Sequence, residues 1–305
     1  MKANRARGIW AKWCAGLVIG VVLTVAGVLP AAALGEIFVV DTFTGKIGEY
    51  SLTGAVINAS LISGLDAPHG IVVAGNDLYV TEKNSNTIGE YTLNGTVVNA
   101  ALITGLNIPT GLAVEGNDLF VTNAGGNTIG EYTLNGTVVN ATLIAGLSNP
   151  TGLAVEGSDL YVVNNDSNTT SVYSTSGAVE NTTLISGLQD PYGILVNGSD
   201  IYIVNRDNST VGEYGTNGST INASLIQNLT LPFGIAMLGP YLLVSRTTSN
   251  TIGEYDAVTG LAINDSFISG LRDPFGIAVV VPEPGTWAVA AGLAALGWAV
   301  RRRRG

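Results

Sequence analysis

Cysteine is almost absent. The 305-residue chain has one, Cys14, inside the first 33 residues, which read as a removable leader. A mature chain starting near Leu34 therefore has neither a thiol for catalysis nor a disulfide. Charge is also scarce, at 12% of residues against roughly 25% in ordinary domains. Residues 34–281 hold five basic residues (Lys46, Lys83, Arg206, Arg246 and Arg272) against 22 Asp and Glu, a net charge of −17. Such a body repels phosphate backbones, which excludes nucleic acid as a partner. Histidine occurs once, as His69, and all four tryptophans (Trp10, Trp13, Trp287 and Trp298) fall in the two end segments. Between those ends nothing has a helical period.

The ends carry most of the long apolar runs. Lys2, Arg5, Arg7 and Lys12 precede the apolar stretch from Cys14 to Pro30, and Ala31-Ala32-Ala33 supplies small residues for cleavage. This is the pattern of a secretory signal over residues 1–33. At the other end Pro282-Glu283-Pro284 is followed by an apolar stretch from Trp287 to Val300 and then by Arg301, Arg302, Arg303 and Arg304. The stretch is shorter than the roughly 20 residues of a comfortable helical span. The arginines can snorkel, so transient membrane insertion with a cytoplasmic end is expected. Residues 282–305 closely resemble the PEP-CTERM sorting signal. That resemblance implies recognition by an exosortase-type processing enzyme in the inner membrane of a Gram-negative, exopolysaccharide-producing bacterium. It also implies export, transient anchoring through the tail, and delivery to the outer surface or extracellular matrix.

Residues 34–281 are a repeat with a period of about 41 residues. Residues 112–152, LAVEGNDLFVTNAGGNTIGEYTLNGTVVNATLIAGLSNPTG, recur almost letter for letter at 71–111 and more loosely from 153, 194 and 235. A sixth unit, Glu36 to Gly70, lacks its opening segment. Each unit has four short apolar runs parted by turn residues. In the unit from Leu112 the first run is Leu112-Ala113-Val114, and Asn135-Gly136 reads as a two-residue hairpin turn. Four strands in each of six units predict an all-β, six-bladed propeller. The missing first strand returns as Ile277-Ala278-Val279-Val280-Val281, so the last strand is expected to complete the first blade. Helical hydrophobic segments are expected only at the two termini. Within the units, Pro-x-Gly-(Ile/Leu)-Ala-Val, Gly-x-Asp-Leu-Tyr-Val and Asn-x-Ile-Gly-x-Tyr resemble NHL-type propeller repeats.

Two rings of residues vary while the strands around them do not. The x of Pro-x-Gly is His69, Thr110, Thr151, Tyr192, Phe233 or Phe275. The residue closing the second strand is Asp41, Glu82, Asn123, Asn164, Asn205 or Arg246. Propeller geometry puts both near the mouth of the central channel. Their mixture of aromatic faces, amides and carboxylates suits sugar recognition, and the alternative is a set of solvated loop residues. A third ring, Glu49, Glu90, Glu131, Glu213 and Glu254, is broken by Val172 and would bind cations or form an acidic belt.

Pro68-His69-Gly70-Ile71, Leu78-Tyr79-Val80-Thr81-Glu82 and the recurring Thr-Ile-Gly-Glu-Tyr resemble repeats of the streptogramin (virginiamycin B) lyases. That resemblance implies magnesium and a catalytic histidine well inside the propeller, whereas this chain has its one histidine in the first unit. A calcium site of the sugar-lactonase kind would draw on Asp41, Glu82, Asn123 and Asn164. The sequence thus predicts an exported, surface-sorted scaffold or binding propeller without a cofactor, associated with exopolysaccharide. Its rival is a calcium- or magnesium-dependent lyase or lactonase.

Overall fold

The computed structural model describes residues 35–281. The leader, the sorting tail and the helices expected in both lie outside the described residues. Twenty-four strands, β1 to β24 in chain order, form six antiparallel four-stranded sheets. Four strands per sheet and close approach between successive inner strands make a six-bladed propeller. Its first blade is composite: β24 (Pro274–Val280) pairs with β1 (Glu36–Asp41), which leads through β2 (Lys46–Ser51) to β3 (Val56–Ser63). The other blades are continuous, spanning residues 68–103, 109–145, 150–185, 191–226 and 232–268.

The third blade shows why the unit cannot stand alone. In β9 (Asp118–Asn123), Leu119, Phe120 and Val121 are at most 1% exposed, although consecutive side chains of a strand point to opposite faces. Both faces of the blade must therefore be covered by its neighbours. One such layer joins Phe38, Val40 and Ile62 of the first blade to Leu78 and Val80 of the second. The seam on the other side of the first blade joins Ile37 and Val39 to Leu238, Leu243 and Ile252.

Two local features differ from the sequence expectation. The inner strand of each continuous blade begins at the proline, as in β8 (Pro109–Glu115), three residues before the apolar run. A register shift between Pro109 and Leu112 frees the x-Gly pair from the ladder and leaves it lining the channel. The Asn135-Gly136 turn is a three-residue connection and not a two-residue one. Gly136 N–H donates to the Thr133 carbonyl at 2.9 Å and only Gly136 has a positive φ, +83°. That is a reverse turn followed by a left-handed bulge residue. Asn135 fixes it by accepting the Thr137 amide at 3.2 Å.

The outer strands form the perimeter, and their pairing with the third strand is bulged in every blade. Bulges spoil an exposed edge as a template for further strands. The strand directions define two ends of the disc. The upper face carries the second–third loops and the connections between blades. The lower face carries the first–second and third–outer turns, and both ends of the described chain leave there.

Candidate functional site

The six x residues come together. Each blade contributes x, Gly and Ile or Leu to a cavity of about 200 Å³ on the channel axis. The glycine is required by space, because a Cβ on Gly111 would lie 2.4 Å from the Thr151 carbonyl oxygen of the next blade. The same collision recurs around the ring and closes with Gly276 against the His69 carbonyl at 2.7 Å. Six glycines thus let six inner strands converge.

Above the glycines four positions of the ring are aromatic and two are threonine. The His69 ring lies 4.4 Å from Phe275, Phe275 lies 4.1 Å from Phe233, and Phe233 lies 4.8 Å from Tyr192. The Tyr192 hydroxyl closes the circuit, 2.8 Å from His69 Nε2. His69 is 6% exposed. Burial, with Lys83 and Arg206 nearby, pushes its pKa down to about 3, so the imidazole is neutral throughout the physiological range. On the other side, Thr110 donates to the Pro150 carbonyl at 3.1 Å and Thr151 to the Tyr192 carbonyl at 3.2 Å. The aromatic rings are turned on one another, forming a plug that takes up four of the six positions at the channel mouth.

The residues that close the second strand are engaged elsewhere. Glu82 Oε2 accepts the Asp66 amide at 2.8 Å, and Asn123, Asn164 and Asn205 accept the amides of Asn107, Ser148 and Gln189 at 3.1–3.2 Å. Asp41 accepts the Arg272 amide at 2.8 Å across the ring closure. In each case the acceptor pins the connection that enters its own blade. Arg246 has no acceptor atom and reaches sideways to Thr251 at 2.9 Å and Asp265 at 3.2 Å. None of these six lines the cavity.

The groups that do crowd the plug lie one residue further along. The Arg206 guanidinium sits 4.7 Å from the centre of the Phe233 ring and 5.1 Å from that of Tyr192, while pairing with Asp190 at 2.5 Å. At the equivalent place Asn165 donates to the Pro191 carbonyl at 2.9 Å and Thr42 to the Pro68 carbonyl at 2.7 Å. Sequence reasoning passed over this ring. Extending the comparison by one residue would have exposed its mixture of Thr42, Lys83, Asn165 and Arg206.

The third ring points into the seams between blades. Glu49 and Glu254 are buried, and Glu90 accepts from the Tyr79 hydroxyl at 3.1 Å. Burial raises the pKa of Glu49, Glu131, Glu213 and Glu254. Among the described residues no three His, Cys, Asp or Glu side chains gather to hold a metal ion. Asp41 and Glu82, the carboxylates nearest the channel mouth by sequence, are turned onto backbone amides in separate blades. This donor set does not fit the magnesium that the lyase resemblance implies.

A closed six-bladed ring with a partly plugged channel defines the class. Within it, the sequence matches the virginiamycin B lyase family over residues 24–255, and the chain belongs to that family. Residues 280–304 match the PEP-CTERM protein-sorting motif, a signal recognised by exosortase, which marks the protein for export and surface sorting in Gram-negative bacteria. Among solved structures, a chain of a nidogen/laminin complex superposes with a TM-score of 0.72 at 18% identity, covering 81% of this chain and 99% of that one. A streptogramin B lyase gives 0.62 at 20% identity, over 80% and 83%. A catalytically inactive histidine-to-alanine variant of virginiamycin B lyase from Staphylococcus aureus with quinupristin gives 0.57 at 22%, over 69% and 73%. These likenesses concern the fold. No curated protein sequence matches the chain significantly.

Proposed function

We propose that the protein is a non-catalytic member of its family, a surface-displayed propeller that binds or organises exopolysaccharide. One observation carries the reading. The only histidine of the chain is sealed in the plug, held by Tyr192 and stripped of basicity by burial. A general base must reach substrate and hold a pKa near the working pH, and His69 does neither. The sorting motif supports delivery to the surface, and the cavity on the channel axis is lined by residues at the upper ends of the inner strands.

Two measurements on the exported protein test this. Incubation with quinupristin and magnesium should leave the antibiotic intact, and co-sedimentation with exopolysaccharide from a producing strain should retain the protein. Turnover without retention would establish the lyase reading that family membership favours. Retention on no polysaccharide would remove the binding role.

A further inference from the structure

The two ends of the disc differ in three respects. The described chain enters at Glu36 and leaves after Val280, both on the lower face, and β24 is an inner strand, so the exit lies beside the axis. All five basic residues of this body (Lys46, Lys83, Arg206, Arg246 and Arg272) stand at the upper ends of strands or in upper loops. The charged groups at the lower turns and strand ends are all carboxylates, including Asp77, Asp118, Asp159 and Asp200. The exposed valines that open the outer strands, Val56, Val97, Val138 and Val179, also lie toward the lower face.

We infer that, while the sorting tail anchors the chain, it fixes the orientation of the propeller: the lower face is held toward the membrane, and the upper face is the surface left open to partners. This rests on the reading that residues 287–300 insert in the membrane. Between Val281 and Trp287 the sequence has five residues, Pro282 to Thr286. Their fully extended reach is at most about 18 Å. A seven-residue strand such as β24 rises about 23 Å on its own. A tether of that length, starting near the axis on one side, cannot pass around the rim and bring the opposite side to the bilayer. The lower carboxylates repel anionic headgroups, so the disc hangs on its tether with that face sheltered.

The partner class follows from what the upper face presents. Phe43, 68% exposed, lies under the Arg272 guanidinium at 4.5 Å, and Arg206 and Lys83 edge the plug. The upper loops and strand ends set seven carboxylates, among them Asp66, Asp166, Asp207 and Asp273, beside those five basic residues, so this face offers no net positive charge to a polyanion. A neutral polysaccharide laid across Phe43 and the channel mouth meets an aromatic face and needs no such charge.

The mature chain lacks cysteine, which makes the orientation measurable. In a Cys14→Ser background, Asn84→Cys and Asp166→Cys mark the upper face, and Asn117→Cys and Ser158→Cys mark the lower; all four positions are exposed. The tail-bearing protein in phosphatidylcholine vesicles and a version ending at Val281 would each react with a polymer-linked maleimide. The expected result is several-fold slower labelling of the lower sites on vesicles, with the upper sites unchanged. Co-flotation with equal rates at both ends would overturn the orientation alone. Failure of the tail-bearing protein to float with vesicles would overturn the anchoring and the orientation with it.

Discussion

Glu36 and Val280 stand opposite one another in a single antiparallel ladder, although they are the first and last strand residues of the described chain. The pairing runs on through Ile37–Val279, Phe38–Ala278 and Val39–Ile277. One blade is thereby built from both ends of the propeller, and opening it would break two blade–blade seams as well as one sheet.

Ending the chain after Asp273 should therefore abolish cooperative folding. The cut removes Ile277 and Ala278, each 8% exposed, and uncovers the side chains they protect. Burial of one large aliphatic side chain is worth about 1.5–3 kcal/mol, and several such losses consume the roughly 5–15 kcal/mol that holds a domain together. Ending the chain after Val281 should leave the melting temperature unchanged. Thermal unfolding followed by circular dichroism separates the two, and a sharp, unshifted transition in the shorter variant would contradict the closure argument.

Gly111→Ala is expected to cost about 3 kcal/mol, because the new Cβ would meet a backbone carbonyl that cannot turn aside. At about 2–4 °C per kcal/mol for a domain of this size, the melting temperature should fall by roughly 6–12 °C. Thr81→Val should be nearly silent. Thr81 accepts the Gly70 amide at 2.7 Å and donates to the Thr110 carbonyl at 3.1 Å, but Val40, Val163 and Val204 hold the same place in other blades. Calorimetry on the pair would check both, and a Thr81→Val loss as large as that of Gly111→Ala would sink the comparison.

Asn123→Ala should cost about 1–2 kcal/mol, since the Asn107 amide loses its acceptor, and should leave polysaccharide retention as it was. The second-strand ring is where composition alone says least about the contacts the side chains make. Asp, Glu and Asn at a channel mouth look like ligand groups, and their repetition could not reveal that each reaches back across its own blade to pin a loop. The fold was legible because it rests on period: four apolar runs, six units and one displaced strand are visible as letters. The plug was legible only as a list of x residues. That His69 meets Tyr192 depends on the ring bringing together residues from the second and fifth blades, which no spacing encodes. Arg206 escaped notice because its neighbour Asn205 occupied the compared position.

His69→Phe should fold with a melting temperature close to that of the parent, because Phe275 and Phe233 already occupy equivalent positions. The Tyr192 hydroxyl loses its partner, which costs about 1 kcal/mol. Polysaccharide retention between pH 5 and 8 should be flat in both proteins, since a histidine with a pKa near 3 does not change charge in that interval. A step near pH 6.5 that disappears in the variant would show that His69 titrates in solution, and would reopen the catalytic reading.

The closing seam carries a titration of the opposite sign. Glu36 is 2% exposed, and burial, together with Glu49, raises its pKa to about 7. Other blades have Asp77, Asp118, Asp159 and Asp200 where the first has Glu36, and Tyr79, Tyr161 and Tyr202 where it has Phe38. Glu49 thus lacks the hydroxyl that serves Glu90, and the longer Glu36 carboxyl reaches it instead. A carboxyl whose folded pKa lies above its unfolded value of 4.5 binds more protons when folded. Its contribution to stability is fully present below about pH 4.5 and is lost as pH rises to about 7. Glu49, raised by its own burial, adds in the same direction. The melting temperature should therefore fall between pH 5 and 7.5 and level off above. Glu36→Gln should flatten that slope, keeping neutral shape and hydrogen-bonding capacity without the proton. Differential scanning calorimetry across this range decides it, and a parent whose stability rises with pH, or a variant with the same slope, would remove the proton from the seam.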